Sequence, residues 1–125
     1  MAKILIVDDD FDMVEACKIA LEKSGFTVSS ASNQNEGYEA IKNFDPDLII
    51  LDVMMDLPDD GIVMAQTLRS KGMNKPILML TSVSSATGMK YGNINEMAPV
   101  DAFEEKPIQP QKLIKIINDL LTKEK

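Results

Sequence analysis

The first apolar run of the chain is ILIV at residues 4–7, and three aspartates, DDD at residues 8–10, follow it directly. Two further runs are also apolar throughout, LIIL at residues 48–51 and ILML at residues 77–80. Four consecutive apolar residues without alternation are typical of strands that are covered on both faces. The three runs therefore predict three buried strands, of which the first ends in a concentration of negative charge.

Segments with the spacing of amphipathic helices lie between and after these runs. The clearest has Leu113, Ile116, Ile117, Leu120 and Leu121 at positions i, i+3, i+4, i+7 and i+8. Weaker strands are expected at Phe26–Ser29 and around Asp101–Phe103, and a helix with a loose loop within residues 82–99. Five strands alternating with five helices predict a doubly wound (βα)5 domain, an α/β fold with a five-stranded parallel sheet and helices on both faces.

Composition narrows the possible functions. A chain of 125 residues is expected to form one domain over residues 1–125. It contains no histidine and a single cysteine, Cys17, which excludes a disulfide within the chain, a Ser-His triad and a His-Cys zinc site. The net charge of −7 disfavours binding to nucleic acid and anionic lipid. No apolar run approaches the ~20 residues of a membrane span, so we expect a cytoplasmic protein.

Polar side chains follow four of the predicted strands. Asp8 and Asp9 follow the first strand, Asp52 the third, Thr81 the fourth and Lys106 the fifth. The carboxyl ends of parallel strands lie along one edge of a sheet, where ligands bind in this class of fold, so we expect these residues to share one pocket. Carboxylate oxygens with water describe a Mg²⁺ site, and the hydroxyl and ammonium groups can hold phosphoryl oxygens. Without histidine or a reactive cysteine, the nucleophile is expected to be a carboxylate.

Each of these residues also has an ordinary structural interpretation. The aspartates at residues 8–10 could cap the following helix, and Asp10 is expected to do so in any case. Thr81 alone could be a strand-end hydroxyl bonded to the backbone, and Lys106 a solvated surface charge. Their joint placement at four strand ends favours phosphoryl chemistry over four unrelated structural roles.

Four motifs occur in a characteristic order: ILIVDD at 4–9, PDLIILDVMM at 46–55, MLTS at 79–82 and FEEKP at 103–107. Through them the whole chain resembles the receiver domain of two-component response regulators, the chemotaxis-regulator-like fold. The resemblance implies a flavodoxin-like strand order 2-1-3-4-5. It also implies a signalling switch, not an enzyme with a separate substrate, that catalyses only its own phosphorylation and dephosphorylation.

The same resemblance implies a phosphoacceptor and a Mg²⁺ site. Asp52 would accept the phosphoryl group and also bind the metal ion. Asp9 would be a direct ligand, Asp8 an indirect or auxiliary one, and the backbone carbonyl of Met54 a further ligand. Mg²⁺ is the only cofactor expected.

Three more residues have implied roles in phosphoryl transfer and switching. Thr81 and Lys106 would contact the phosphoryl group, and Phe103 would be an aromatic switch residue that responds together with Thr81. A core position for Phe103 is an equally good interpretation of that residue.

The implied partners are a sensor histidine kinase or histidine phosphotransfer protein, which donates the phosphoryl group, and an output protein of unknown identity. The output surface is expected around the fourth helix, fifth strand and fifth helix of the (βα)5 order, within residues 88–119. The chain is expected either to act as a stand-alone receiver or to be part of a longer regulator.

Two segments depart from the usual receiver pattern. The loop at Asp56–Gly61 has aspartate where proline is common and places its glycine one position late, and the Ser82–Pro99 segment lies in a stretch about three residues longer than usual. Both features, with the DVMM and PVDAF-EKP signatures, resemble a less common receiver subgroup.

Other functions remain open at this point. A phosphatase resembling the haloacid dehalogenase superfamily would use Asp8 of an Asp-x-Asp motif with Thr81 as its second motif, but this leaves Asp52 unexplained. A flavodoxin-like mononucleotide binder shares the fold, although the aspartates at residues 8–10 would repel its phosphate. A degenerate receiver acting as a scaffold would not need all the site residues present here.

Overall fold

A computed structural model describes residues 2–53, 60–82, 100–106 and 108–123, without the side chains of residues 81, 82, 106 and 123. The elements in chain order are β1 (Lys3–Val7), α1 (Phe11–Lys23), β2 (Thr27–Ala31), α2 (Gln34–Phe44), β3 (Leu48–Asp52), α3 (Asp60–Ser70), β4 (Ile77–Ser82), β5 (Ala102–Lys106) and α4 (Pro110–Lys123). The helix expected within residues 82–99 falls outside the described residues, so α4 is the C-terminal helix.

The five strands form one parallel sheet in the order β2-β1-β3-β4-β5, which confirms the predicted strand order. β1 lies between β2 and β3, and its last residue, Val7, is in register with Ala31 on one side and Leu51 on the other. Asp52 is in register with Leu80 of β4. The carboxyl ends of β1, β3 and β4 therefore lie next to one another.

The sheet is covered on both faces, as the unbroken apolar runs predict. Side chains alternate along each strand, so that Leu5 and Val7 pack with α2 and α3, whereas Ile4 and Ile6 pack with α1 and α4. Cys17 is buried on the α1 side, where its Sγ lies 3.3 Å from the sulfur of Met13.

The start of β2 was predicted one residue too early and its end two residues too early. The amide of Phe26 donates to Leu21 O and that of Gly25 to Glu22 O, so both residues belong to the turn that ends α1. Gly25 has a φ of 99°, a conformation that side chains disfavour. Phe26 is thus part of the turn that ends α1, and β2 runs from Thr27 to Ala31.

Among the described residues there is no helix with the length and apolar character that crossing a membrane would require.

Candidate metal centre

Three carboxylates meet where β1 and β3 end. Asp8, Asp9 and Asp52 each bring one carboxylate oxygen within 4.8 Å of the other two. Asp8 and Asp52 are buried, with 3% and 6% of their surface exposed, whereas Asp9 is exposed. The sheet creates this cluster because β1 and β3 are adjacent and parallel, so residues 43 or 44 positions apart reach the same edge.

The donor set suits a hard divalent cation. Three acidic oxygens at this spacing, two of them shielded from solvent, repel one another unless a positive charge lies between them. Oxygen-only ligands with room for water are the preference of Mg²⁺, whereas zinc and copper sites draw on imidazole or thiolate. Asp8, Asp9 and Asp52 are therefore suited to Mg²⁺.

Neighbouring aspartates have different structural environments. Asp8 Oδ1 accepts a hydrogen bond from the Asp10 amide at 2.9 Å, which fixes the turn that leaves β1. Asp10 lies outside the carboxylate cluster and caps α1, since its Oδ1 accepts from the Met13 amide at 3.2 Å. The expectation that Asp10 is a helix cap is confirmed.

The remaining predicted site residues lie on or beyond the adjacent strands. The backbone of Thr81 pairs with Glu105, and Ser82 pairs with Lys106, at the carboxyl ends of β4 and β5. Phe103 lies on β5, is half-buried and packs against the core on the α2 and α3 face. Met54 and most of the Asp56–Gly61 and Ser82–Pro99 segments fall outside the described residues.

A cavity of about 200 Å³ opens beside the carboxylates, between the start of α1 and the end of β2. Its lining includes Asp8, Asp9, Phe11 and Glu36, and Phe11 is 72% exposed. Two hydrogen bonds from Ser32, from its amide at 3.0 Å and its hydroxyl at 2.9 Å, lower the pKa of the Glu36 carboxyl below its ordinary value. Glu36 therefore adds a stable negative charge to the rim of the site.

Sequence reasoning missed a second acidic residue near the end of β3. Asp60, the first residue of α3, is 6% exposed, and its Oδ1 accepts a hydrogen bond from Gln34 Nε2 of α2 at 2.9 Å. The partners are 26 residues apart, so no local pattern reveals the bond. The only available signal was the Asp-Gly pair that closes the unusual loop after Asp52.

Comparison with known proteins gives the family. The family model described as the response regulator receiver domain matches residues 4–118. The chain belongs to the response regulator receiver family. Receiver domains are parts of two-component signalling proteins, so this chain has a signalling role, and the phosphatase alternative at Asp8 finds no support.

Two curated relatives are similar over most of this receiver. The Bacillus subtilis alkaline phosphatase synthesis transcriptional regulatory protein PhoP is 36% identical over an alignment of 116 positions that covers 89% of this chain and 45% of PhoP. The Staphylococcus aureus response regulator SaeR is 29% identical over an alignment of 126 positions that covers 100% of this chain and 53% of SaeR. The chain spans about half the length of these relatives.

Solved structures agree with the family and the fold. The receiver domain of the Francisella response regulator 1452 is 26% identical, has a TM-score of 0.86 and aligns over 100% of both chains. A CheY-like receiver domain protein from Methanospirillum hungatei is 26% identical with a TM-score of 0.82, over 98% of this chain and 95% of its own. The predicted receiver resemblance and fold are thus confirmed.

Proposed function

We propose that residues 1–125 form one receiver domain that accepts a phosphoryl group on Asp52 and in response alters a protein-binding surface. The observation that carries this proposal is the meeting of Asp8, Asp9 and Asp52 within 4.8 Å. A capping residue or a surface charge has no need of two other carboxylates at that distance. A phosphoacceptor needs such carboxylates, because they hold the cation beside it. The positive charge of that cation offsets both the carboxylates and the incoming phosphoryl oxygens.

Asp52 is the best nucleophile of the three aspartates. It ends the central strand of the sheet and is 6% exposed, so its carboxylate is presented to the site with little competition from bulk water. In the transfer a carboxylate oxygen of Asp52 attacks phosphorus. The P–N bond of the donor phosphohistidine breaks, and the imidazole nitrogen keeps the electron pair.

Asp8, Asp9 and Asp52 would hold Mg²⁺ together with the backbone carbonyl of Met54. When bound, Mg²⁺ supplies charge neutralisation for the phosphoryl oxygens and for the carboxylates. Asp8 is held by the Asp10 amide and is buried, which suits an auxiliary ligand that does not move.

Thr81 and Lys106 would bind the phosphoryl oxygens. Their backbone positions support this role, since both lie at the carboxyl ends of β4 and β5, on the same edge of the sheet as Asp52. A hydroxyl and an ammonium group there supply one neutral and one charged donor to a phosphate.

The donor is proposed to be a histidine kinase or a histidine phosphotransfer protein, because these are the phosphoryl donors of two-component systems, to which the receiver family belongs. The exposed ring of Phe11 supports a protein donor, since it lines the same cavity as Asp8 and Asp9 and offers apolar surface beside these two carboxylates. An apolar contact at this place would orient a donor whose phosphoryl group faces Asp52.

Phe103 is proposed to transmit the change to an output protein. It is half-buried on β5, the edge strand next to β4, so a shift at Thr81 would reach it across one strand pair. The output surface would include β5 and the C-terminal helix α4. An ordering change driven by a new doubly charged group is the usual way in which such a switch acts.

The test is to map the modified residue after incubation with acetyl phosphate. We expect one phosphoryl group on Asp52 in the presence of Mg²⁺, none after addition of EDTA, and none in Asp52→Asn. Asp10→Asn is the matched control, since it also removes one negative charge near the site but leaves the acceptor, and it should still be modified. Labelling at Asp8, or persistent labelling of the Asp52→Asn protein, would contradict the proposal.

A further inference from the structure

We propose that Gln34, Asp60 and Gly61 are positioning residues that hold the end of β3, and with it the acceptor Asp52, in the geometry for phosphoryl transfer. We call these three residues the α2–α3 brace. The inference rests on the proposed function of Asp52. It assigns a role to residues at the closing end of the loop that departs from the receiver pattern.

Gly61 lies directly against the backbone of Asp52. A Cβ atom at Gly61 would overlap the Asp52 carbonyl oxygen and come within 2.8 Å of the Val53 Cα. The Gly61 amide also donates to Val53 O at 2.8 Å, so the first turn of α3 is bonded to the residue that follows the acceptor. Any displacement of this turn is therefore transmitted to the peptide that carries Asp52.

The first turn of α3 is in turn bonded to α2. Asp60 is buried, and its Oδ1 accepts from Gln34 Nε2 at 2.9 Å. Gln34 is oriented from its other side, because its Oε1 accepts a hydrogen bond from the Tyr38 hydroxyl at 3.2 Å. A side-chain amide that both donates and accepts is fixed in one orientation, and a bond from it to a buried carboxylate is of the stronger, charge-assisted type.

Helix α2 is well placed to act as the fixed end of the brace. A Cβ at Gly37 would approach the Met64 methyl group to 2.7 Å and the Val7 methyl groups to 3.3 Å, so α2 packs closely on both β1 and α3. Gln34 lies one turn before Gly37 on this helix. Core packing therefore fixes the position of Gln34, and the hydrogen bond from Gln34 restrains the position of Asp60.

The α2–α3 brace therefore connects the packed core to the phosphoacceptor Asp52. The Asp52 carboxylate must lie within 4.8 Å of its two partners and in line with an incoming phosphorus atom. Small misplacements of a reacting group lower rates steeply. Loss of the brace should therefore slow phosphorylation even where the protein remains folded.

The experiment measures the second-order rate constant for phosphorylation by acetyl phosphate at saturating Mg²⁺. We expect Gln34→Ala to lower it by about threefold or more, and Gly61→Ala by about tenfold or more. Asn35→Ala is the matched control, because Asn35 is an exposed neighbour in the same turn of α2, and its rate should equal that of the wild type. If the Gly61→Ala protein does not fold, the phosphorylation rate constant of Gln34→Ala is sufficient to test the inference.

Two further comparisons separate positioning from general stability. Ile117→Val shortens a fully buried side chain on the opposite face of the sheet, and it should lower the free energy of unfolding without slowing phosphorylation. The double variant Gln34→Ala/Asp60→Ala should be no slower than Asp60→Ala, since both changes remove the same hydrogen bond.

The outcomes are distinguishable. A folded Gln34→Ala protein with a smaller loss of rate than expected, or equal slowing in Ile117→Val at equal loss of stability, would overturn the inference and leave the proposed function intact. A wild-type protein that takes no phosphoryl group on Asp52 would overturn both.

Discussion

Asp8, Asp9 and Asp10 are chemically identical neighbours, yet each has a different environment because the chain turns from a strand into a helix between them. Asp8 is buried and bonded to the Asp10 amide, Asp9 is exposed within the carboxylate cluster, and Asp10 caps α1. Their separate roles follow from backbone direction, so a substitution at one should not reproduce the effect of another.

Asp10 offers a residue-scale prediction. Its carboxylate satisfies the Met13 amide, one of the amides that the first turn of α1 leaves without an intrahelical partner. Asp10→Ala should lower the free energy of unfolding by about 1 kcal/mol, and Asp10→Ser should restore most of it, because serine is also a good cap. Urea unfolding measures both changes. Equal losses in the alanine and serine variants would show that charge, and not capping, is the cause.

Elements were predicted well where the pattern is local and poorly where it depends on a distant partner. The three unbroken apolar runs and the five-residue helical pattern identified β1, β3, β4 and α4 directly. In contrast, Ser30 and Ala31 are not typical strand residues, and they extend β2 because they pair with Ile6 and Val7. The Gln34–Asp60 bond was missed for the same physical reason, since its partners meet only in the folded chain.

The start of α2 carries a pH-dependent contact. Hydrogen bonds from Ser32 lower the pKa of Glu36 below its unfolded value of about 4.5. A lowered carboxyl pKa stabilises the fold fully above that value, and the stabilisation is lost as the pH falls through the lower folded value. The stability difference between wild type and Glu36→Gln should therefore be constant near neutral pH and shrink below about pH 4.5.

Denaturant unfolding from pH 7 down to pH 3 would follow this difference. Ser32→Ala is the matched variant, since it removes the hydroxyl donor but keeps the amide donor. It should move the fall in stability to higher pH, closer to the unfolded pKa. A difference between wild type and Glu36→Gln that does not change with pH would contradict the role of the ionised carboxylate.

A second set of contacts ties α3 to the amino ends of β4 and β5, at the edge of the sheet opposite the carboxylates. Arg69 pairs with Asp101 at 2.8 Å and donates to the carbonyls of Met73 and Lys75. The same carboxylate oxygen of Asp101 accepts from the Ile77 amide at 2.9 Å. Asp101 of the PVDAF signature thus has a structural role at this junction.

Arg69→Lys should therefore destabilise the protein although it keeps the charge, because lysine cannot reproduce the planar set of donors. We expect a loss of about 1 kcal/mol, at the modest end for a charged network since Asp101 is 41% exposed. Lys112→Ala is the control, as it breaks a pair with Glu104 whose lysine is 61% exposed and should cost less. Urea unfolding compares the two variants, and a larger loss in Lys112→Ala would contradict this ranking.

At the scale of the whole molecule, the parallel sheet brings acidic residues that are far apart in the sequence into a concentrated acidic site. The order β2-β1-β3-β4-β5 places β3 at the centre, with β1 on one side and β4 on the other. The alternation of strands and helices predicted a parallel sheet, and the resemblance to receiver domains implied its strand order. The sequence could not define the placement of the first turn of α3 in the same way, since it depends on contacts of Gly61 with the end of β3.

This concentration of charge predicts that the stability of the folded protein depends on Mg²⁺. Asp8, Asp9 and Asp52 come within 4.8 Å of one another only when the chain is folded, so a cation that binds the cluster stabilises the native state alone. Mg²⁺ at about ten times its dissociation constant should add about 1.4 kcal/mol, or a few degrees in Tm. Asp9→Asn should raise the Tm of the metal-free protein by relieving repulsion, and should reduce the increase in Tm that Mg²⁺ produces.

Thermal unfolding with MgCl₂, compared with NaCl at equal ionic strength, separates binding from screening, because screening requires no particular cation. The same rise in NaCl, or a full Mg²⁺ increment in Asp9→Asn, would show that the cluster is not a metal site.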